Sequence, residues 1–226
     1  MPTTTLSFNP RVARTPRDLQ AACQVRSISY GHHLPSLRTA FAAPEPLDRT
    51  PGTAVFLCTD KATGAAVGTA RVQINTWAPL QIDRSVEMPD PIAEQSRAEI
   101  TRLSVMPGRA DPLVKLALMK ASYLYCLANQ IRWMVIGARS EALIRQYRRL
   151  GFKNLHEDGK PVPLAHAGGI DHWVLAFDVT AAERHWFTMN HPLYTFMVQT
   201  LHPDIQLFNA PVEVEAALDR QEAIAA

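Results

Sequence analysis

The sequence predicts an α/β (α+β) fold, in which helices flank one central sheet of mixed antiparallel and parallel strands. Three observations support this class. Residues 53–75 read as an antiparallel hairpin. An apolar strand at 98–105, a long helix and the continuous apolar strand RWMVIG at 132–137 then follow one another as in a parallel unit. With 226 residues, 47% of them hydrophobic, the chain is long enough for one domain of generous size.

The first predicted elements precede the hairpin. Residues 6–13 predict a short strand, and Thr15 followed by Pro16 marks the start of a helix over 17–29. Arg26 lies on the otherwise apolar face of that helix, either as a snorkelling edge residue, which the helix alone favours, or as a side chain that faces a cleft. That face consists of Leu19, Ala22, Cys23, Arg26 and Tyr30.

The hairpin follows a break at HHLP, a helical turn near 36–43 and the rigid loop PEPLD. Its strands are predicted at 53–59 and 65–75, joined by a turn that ends in Gly64. Gly68 inside the second strand indicates a bulge or a close backbone approach. Arg71 and Gln73 share one face of that strand, which is either solvent or a polar cavity.

Residues 76–97 show no clear element, and a connection of that length is usually functional or mobile. The next strand, AEITRLSV at 98–105, places Glu99 and Arg102 in a segment that is otherwise apolar. Charges at buried positions are costly unless they are paired or used. Apolar side chains of the connection either line a pocket or pack under a surface loop: Trp77, Leu80, Ile82 and Met88.

The loop Gly108–Pro112 leads into a helix over 112–130, with Asp111 as its cap, and a loop before a helix N-terminus is where anions are usually held. Ser140 caps a helix over 141–150 that ends at Gly151. Strands are predicted at 152–155 and 172–178, with a polar loop over 156–170 between them. Beyond them, Thr180 is predicted to cap a helix through Trp186, with more helix over 193–201 and an acidic tail from Pro203.

Composition excludes several classes of function. A net charge of +2 does not favour nucleic acid as a partner. The three cysteines and eight histidines show no metal-ligand spacing, so no metal is predicted. The sequence contains neither a signal peptide nor an apolar run of membrane-spanning length, and we expect a cytoplasmic protein. Motifs for nucleotide binding, the serine-nucleophile elbow and the zinc-protease helix are also missing.

The stretch from the strand at 98–105 through PGR, the long helix, the strand at 132–137 and YRRLGF at 147–152 resembles the GNAT acyltransferase fold. The resemblance covers roughly Asp18 to Asp178, and it implies an acyltransferase domain over 1–179 with a C-terminal helical extension over 180–226. The loop Gly108–Pro112 has one Gly and an acid, which weakens the usual cradle for the acetyl-CoA pyrophosphate.

Two branches of this fold look like the chain: the N-acyl amino acid synthases and, second, the acyl-homoserine-lactone synthases. The resemblance to them implies a long acyl chain on acyl carrier protein as the donor. The resemblance implies one pocket in which Arg26 and Arg71 have Asp48 and Glu99 as counter-charges. It implies Glu99 and Arg102 as catalytic residues, and as substrate-binding residues Arg26, Asp48, Arg71, Thr101, Leu103 and Ser104.

The implied reaction is attack of an amine on a thioester of acyl carrier protein phosphopantetheine or CoA, with no cofactor bound. Glu99 would act as base directly or through water, and Arg102 would orient Glu99 or the substrate carboxylate. Main-chain amides where strand 98–105 splays from its neighbour would stabilise the oxyanion. The alternative is that these charges form a structural ion-pair network.

The implied partner, acyl carrier protein, is acidic and needs a basic docking surface. Trp186, Phe187, Tyr194 and Phe196 would cover a long acyl tunnel, which favours the amino acid branch. A GNAT-like sensor that binds an acyl chain without turnover is a further alternative. The docking residues are Arg145, Arg148, Arg149 and Lys153, with Arg139 beside them, although a solvated helix face would show the same charges.

Overall fold

A computed structural model describes residues 1–108 and 111–208. Arg109 and Ala110 of the predicted anion-binding loop therefore lie outside the described residues, as does the predicted acidic tail from 209 onward. None of the helices in the described part of the chain is long and apolar enough to cross a membrane.

One mixed sheet forms the centre of the molecule, as predicted. The strands are β1 (Phe8–Val12), β2 (Thr53–Asp60), β3 (Ala66–Ile74), β4 (Arg97–Val105), β5 (Trp133–Ala138), β6 (Lys153–Asn154), β7 (Val162–Leu164) and β8 (Ile170–Asp178). Their order in the sheet is β1-β2-β3-β4-β5-β8-β6, and β7 pairs with the first residues of β8. Every pair among the described strands is antiparallel except β4 with β5.

The described helices are α1 (Pro16–His33), α2 (Ser36–Ala40), α3 (Asp90–Ala93), α4 (Leu113–Ala128), α5 (Glu141–Leu150) and α6 (Val179–Thr188). The bounds of α5 agree with prediction: it begins after its Ser140 cap and is followed by Gly151, whose φ of 104° needs a glycine. The helix α1 runs four residues past its predicted end. It stops at His33 because Pro35 keeps the preceding residue, Leu34, out of the helical region.

The C-terminal extension corrects three predictions. Asp178, not Thr180, caps α6, because its carboxylate accepts from the amides of Thr180 and Ala181. The predicted helix over 193–201 is a five-residue π-helical turn, Thr195–Gln199. Trp186 does not line a tunnel but fills the core, where it packs edge-on against Tyr123.

Two layers cover the sheet. Alternate side chains of β2 show this clearly: Phe56 joins the main core under α4, whereas Val55 and Leu57 pack against Ala22 of α1. The α1 layer continues over β5 and β8 as a smaller apolar cluster, to which the connection between β3 and β4 contributes Leu80, Ile82, Val86 and Ile92.

Candidate active site

The sheet face under α1 is apolar at its edges and polar at its centre. Cross-strand pairs place Arg71 opposite Thr101, Gln73 opposite Glu99, and Thr69 opposite Ser104. Since directly opposed residues of an antiparallel pair lie on one face, these six side chains form a polar patch. All six are buried except Thr101, which is half-buried.

A bulge in β4 widens this patch. From Thr101 to Ser104 the strand has one residue more than the facing stretch of β3 from Thr69 to Arg71. Arg102 takes up the extra length with a φ of 56°, a left-handed conformation that non-glycine residues rarely adopt. As a result Thr101 and Arg102, although adjacent, both contact the charges above this face.

Three guanidinium groups meet two carboxylates above the patch. Arg26 donates to Asp48 at 2.7 Å, and Arg71 lies 3.0 Å from Glu45 and 3.3 Å from Asp48. Arg102 donates two hydrogen bonds to the Glu45 carboxylate, from Nε at 2.7 Å and from Nη2 at 2.6 Å.

Local structure around each charged residue explains why these five side chains meet. The α1 helix carries Arg26 in its apolar face, and the 3₁₀ turn Pro46–Arg49 points Asp48 inward. The Asp48 carboxylate also accepts from the Glu45 amide at 2.9 Å, which fixes the turn. Phe41 stacks 4.4 Å from the Arg102 guanidinium.

The pKa values of the two carboxylates favour their charged forms. Burial alone would raise the pKa values of Glu45 and Asp48, yet both are lowered, because Arg102 hydrogen-bonds Glu45 and Arg26 hydrogen-bonds Asp48. Burial lowers the pKa of Arg71, while the Glu45 hydrogen bond raises that of Arg102 against the opposing effect of burial. Three cations thus face two anions.

The structure brings together Arg26, Asp48, Arg71 and Arg102 of the predicted set, but Glu99 is not their counter-charge. Glu45 takes that place. No local pattern in the sequence indicates this, because Glu45 lies 57 residues before its partner Arg102. Arg102 directs both Nε and Nη2 to Glu45, whereas the Glu99 carboxylate contacts the Ile82 amide and His166. Arg102 therefore does not orient Glu99.

Glu99 has its own partners. Oε2 accepts from the Ile82 amide at 3.1 Å, and Oε1 lies 3.1 Å from Nε2 of His166. Both side chains are buried, Glu99 at 2% and His166 at 8% exposure. The sequence reasoning missed His166, because it sits in a 3₁₀ turn, Ala165–Ala167, inside the loop without periodicity.

Beside Glu99 the sheet opens. Pairing between β4 and β5 runs from Arg97 with Trp133 to Ile100 with Ile136, whereas β4 continues to Val105. Backbone groups on the β5 side of the last β4 residues are therefore free of that ladder. The Ser104 hydroxyl is buried there with no partner among the described residues. Leu103 turns its side chain into the main core, so only its backbone faces the opening.

The apolar side chains of the 76–97 connection fall into two groups, one that lines a surface cavity and one that is buried. A surface cavity of about 750 Å³ is lined by Trp77, Pro79 and Met88, and the ion pair of Arg97 with Asp83 closes one side. Leu80 and Ile82 pack beneath it in the smaller apolar cluster. This cavity does not include the charge network.

The predicted docking residues are all exposed. Arg145, Arg148 and Arg149 project from α5, and Lys153 follows on β6. Arg148 donates to Asn154 at 3.0 Å, and Arg145 lies 3.8 Å from Glu141.

Known proteins resemble the chain in sequence family and in fold. The family model of the N-acyl amino acid synthase FeeM matches residues 28–167. The structure of FeeM from uncultured soil microbes superposes with a TM-score of 0.60 at 16% identity, over 84% of this chain and 98% of that one. The structure of the CoA-dependent acyl-homoserine lactone synthase BjaI superposes with a TM-score of 0.56 at 16% identity, over 94% of this chain and 99% of that one.

Acetyltransferases share the fold as well. The PaiA N-acetyltransferase from Thermoplasma acidophilum, solved with coenzyme A, gives a TM-score of 0.53 at 12% identity, over 76% of this chain and 99% of that one. No curated protein sequence matches the chain. The likeness to these structures concerns the fold, which confirms the predicted GNAT architecture.

Proposed function

The chain belongs to the N-acyl amino acid synthase family of FeeM and is an acyltransferase, and on that premise we propose that it moves a long acyl chain from an acyl-carrier-protein thioester to the amino group of an amino acid. One observation carries the proposal. Nε and Nη2 of buried Arg26 have no hydrogen-bond partner among the described residues, and Arg26 belongs to a cluster in which three cations face two anions.

An amino acid fits this surplus. Buried donors without acceptors are unfavourable, and a carboxylate is the ligand that a guanidinium fork matches best. Arg71 and Asp48 hold the cluster in place, and Thr101 fixes the Arg71 Nε at 2.9 Å. The acceptor carboxylate would lie against Arg26 and Arg102, with its amine directed along the polar patch toward Glu99.

The chemistry follows at the sheet opening. The Glu99 carboxylate supplies the negative charge that deprotonation of the amine requires. The backbone of Thr101, Leu103 and Ser104, beyond the last pair with β5, offers amides to the oxyanion of the tetrahedral intermediate. Arg102 is assigned to the acceptor side of the site and not to Glu99, because its Nε and Nη2 both bind Glu45 within the charge network.

The donor half rests on charge and on the fold. The exposed cations of α5 and β6 suit the acidic surface of acyl carrier protein, and CoA is the alternative donor. We assign 1–179 to the acyltransferase unit and the residues from 180 to its extension. Three buried free thiols, at Cys23, Cys58 and Cys126, suit a reducing cytoplasm.

The decisive experiment offers the purified protein a set of acyl-carrier-protein thioesters and acyl-CoA thioesters with a panel of amino acids and their amides. Release of free thiol together with an N-acyl amino acid, and not with the amide, supports the proposal. Thiol release with S-adenosylmethionine alone would assign the chain to lactone synthesis instead. Absence of turnover with every acceptor, while an acyl chain copurifies, would indicate a sensor.

A further inference from the structure

The pair of Glu99 and His166 has a buried atom that the proposed roles do not use. Nε2 of His166 lies 3.1 Å from the Glu99 carboxylate, while Nδ1 is buried with no hydrogen-bond partner among the described residues. Most buried polar atoms in native structures are paired, so an orphaned ring nitrogen beside a buried carboxylate requires a reason.

The hydrogen-bond pattern decides which nitrogen carries the proton. Glu99 already accepts from the Ile82 amide, so it acts as a carboxylate acceptor, and Nε2 of His166 must donate to it. Nδ1 of a neutral ring then carries a lone pair. A charged ring would instead bury an N–H at Nδ1 without an acceptor, which costs more.

The imidazole also lies near the opening of the sheet. Glu99 pairs with Val135, one residue before the last β4–β5 pair, and Leu164 next to the turn packs against Gly137 of β5. A second histidine, His172 of β8, interacts with His166. The pKa of His172 is lowered chiefly by burial and also by His166 and Arg139, while the Ile170 carbonyl and Asp171 oppose the change.

We infer that His166 is a catalytic residue, and that its Nδ1 accepts the proton of the attacking amine while Glu99 orients the ring and stabilises the imidazolium. This inference rests on the proposed function. The neutral amine forms the C–N bond, the proton that becomes acidic on nitrogen moves to Nδ1, the C–S bond breaks, and the same proton leaves on the thiol sulfur. Glu99 does not take up this proton.

The test compares His166→Gln with Glu99→Gln in the acyl-transfer assay. Gln at 166 keeps an N–H donor for Glu99 but has no base, so a structural role for His166 predicts little loss. Proton transfer at Nδ1 predicts a fall in kcat of about 100- to 10,000-fold, with KM for the thioester unchanged. Free imidazole should restore part of the activity of His166→Ala but none of that of Glu99→Gln. His172→Gln is the matched control and should keep wild-type kcat.

Activity of His166→Gln within threefold of wild type would overturn the inference and leave the acyl transfer intact. A second measurement does not depend on turnover. Nitrogen-15 spectra of the histidine rings should show His166 with a proton on Nε2 and none on Nδ1 at neutral pH. A proton on Nδ1 there would also overturn the inference, even if wild type itself transfers no acyl group, which is the failure of the proposed function.

Discussion

Glu45 accepts a two-bond fork from Arg102, at 2.7 and 2.6 Å, and the same Glu45 oxygen that takes the Nε bond lies 3.0 Å from Arg71. One carboxylate from a proline-rich loop thus ties two strands of the sheet to the α1 layer. Its side chain is 23% exposed, so it is the more accessible of the two anions in the network.

Replacing that carboxylate should destabilise the fold. Glu45→Gln leaves Arg71 and Arg102 buried with only Asp48 as counter-ion, and we expect a loss of about 3–5 kcal/mol in the free energy of unfolding, since uncompensated buried charge is strongly unfavourable. Urea unfolding followed by circular dichroism measures it. Glu94→Gln, at an exposed site, is the control, and equal midpoints for the two variants would contradict the expectation.

Arg26→Lys should separate acceptor binding from chemistry. Lysine keeps the charge but not the two free guanidinium donors, so KM for an amino acid acceptor should rise about 10- to 100-fold, with a smaller change in kcat. The same amino acid as its amide provides the control, because it lacks the carboxylate and should respond little. An unchanged KM would remove Arg26 from the acceptor site.

Charge reversal on α5 should identify the donor. The double variant Arg145→Glu and Arg149→Glu should raise KM for acyl carrier protein thioesters by about tenfold or more and should not make that KM more dependent on salt. KM for acyl-CoA should change little. Arg184→Glu, an exposed arginine on α6, is the matched control. Equal sensitivity of both donors would place the carrier protein elsewhere on the surface.

Lys120 gives the fold a pH dependence of defined sign. It is buried in α4 and donates to the carbonyls of Phe196 and Thr200 at 2.7 and 2.6 Å, and burial lowers its pKa from 10.5 to about 8. Between those values the folded protein binds fewer protons than the unfolded chain, so this group makes stability rise with pH over that window.

The expected rise is about 3 kcal/mol between pH 8 and 10.5. Lys120→Met should abolish it, as measured by the difference in unfolding free energy between wild type and variant at each pH. Lys160→Met, at an exposed site, should follow wild type throughout. A parallel course of Lys120→Met and wild type would show that Lys120 keeps its charge in the fold.

Any side chain at Gly68 should clash with α4, which packs directly over this position. A Cβ there would come within 2.7 Å of Val114 and 3.0 Å of Leu118. We expect Gly68→Ala to lose about 1–3 kcal/mol through overpacking, and Val114→Ala added to it to recover part of the loss. Simple additivity of the two losses would show that Val114 is not the obstacle.

Much of this fold follows from local signals in the sequence. The bounds of α5 agree with its Ser140 cap and Gly151. Of the two alternatives for Gly68, the bulge is present, since β3 carries an extra residue against β2 beside it, and side chains of α4 lie close over the glycine. Such signals lie within a few residues of the structure that they determine, which is why they can be read without tertiary contacts.

The site was only partly predictable for the opposite reason. Arg26, Asp48 and Arg71 stand out as charges in apolar or rigid segments, and the structure joins them. The partners of Glu99 and Arg102 depend on a bulge and on two loops, and neither the left-handed Arg102 nor the turn that holds His166 has a pattern of its own. A lone histidine between alanines becomes informative only when its distance to Glu99 is known.

The bulge in β4 makes the length of one short segment a determinant of the site. Between Thr101 and Ser104 the strand has one residue more than β3 requires. Deleting a single residue there would restore regular alternation, rotate the Arg102 position to the α4 side and leave the Glu45 carboxylate without its fork. Homologous chains that keep every charged residue but differ by one position in this segment would therefore carry the same composition without the same site.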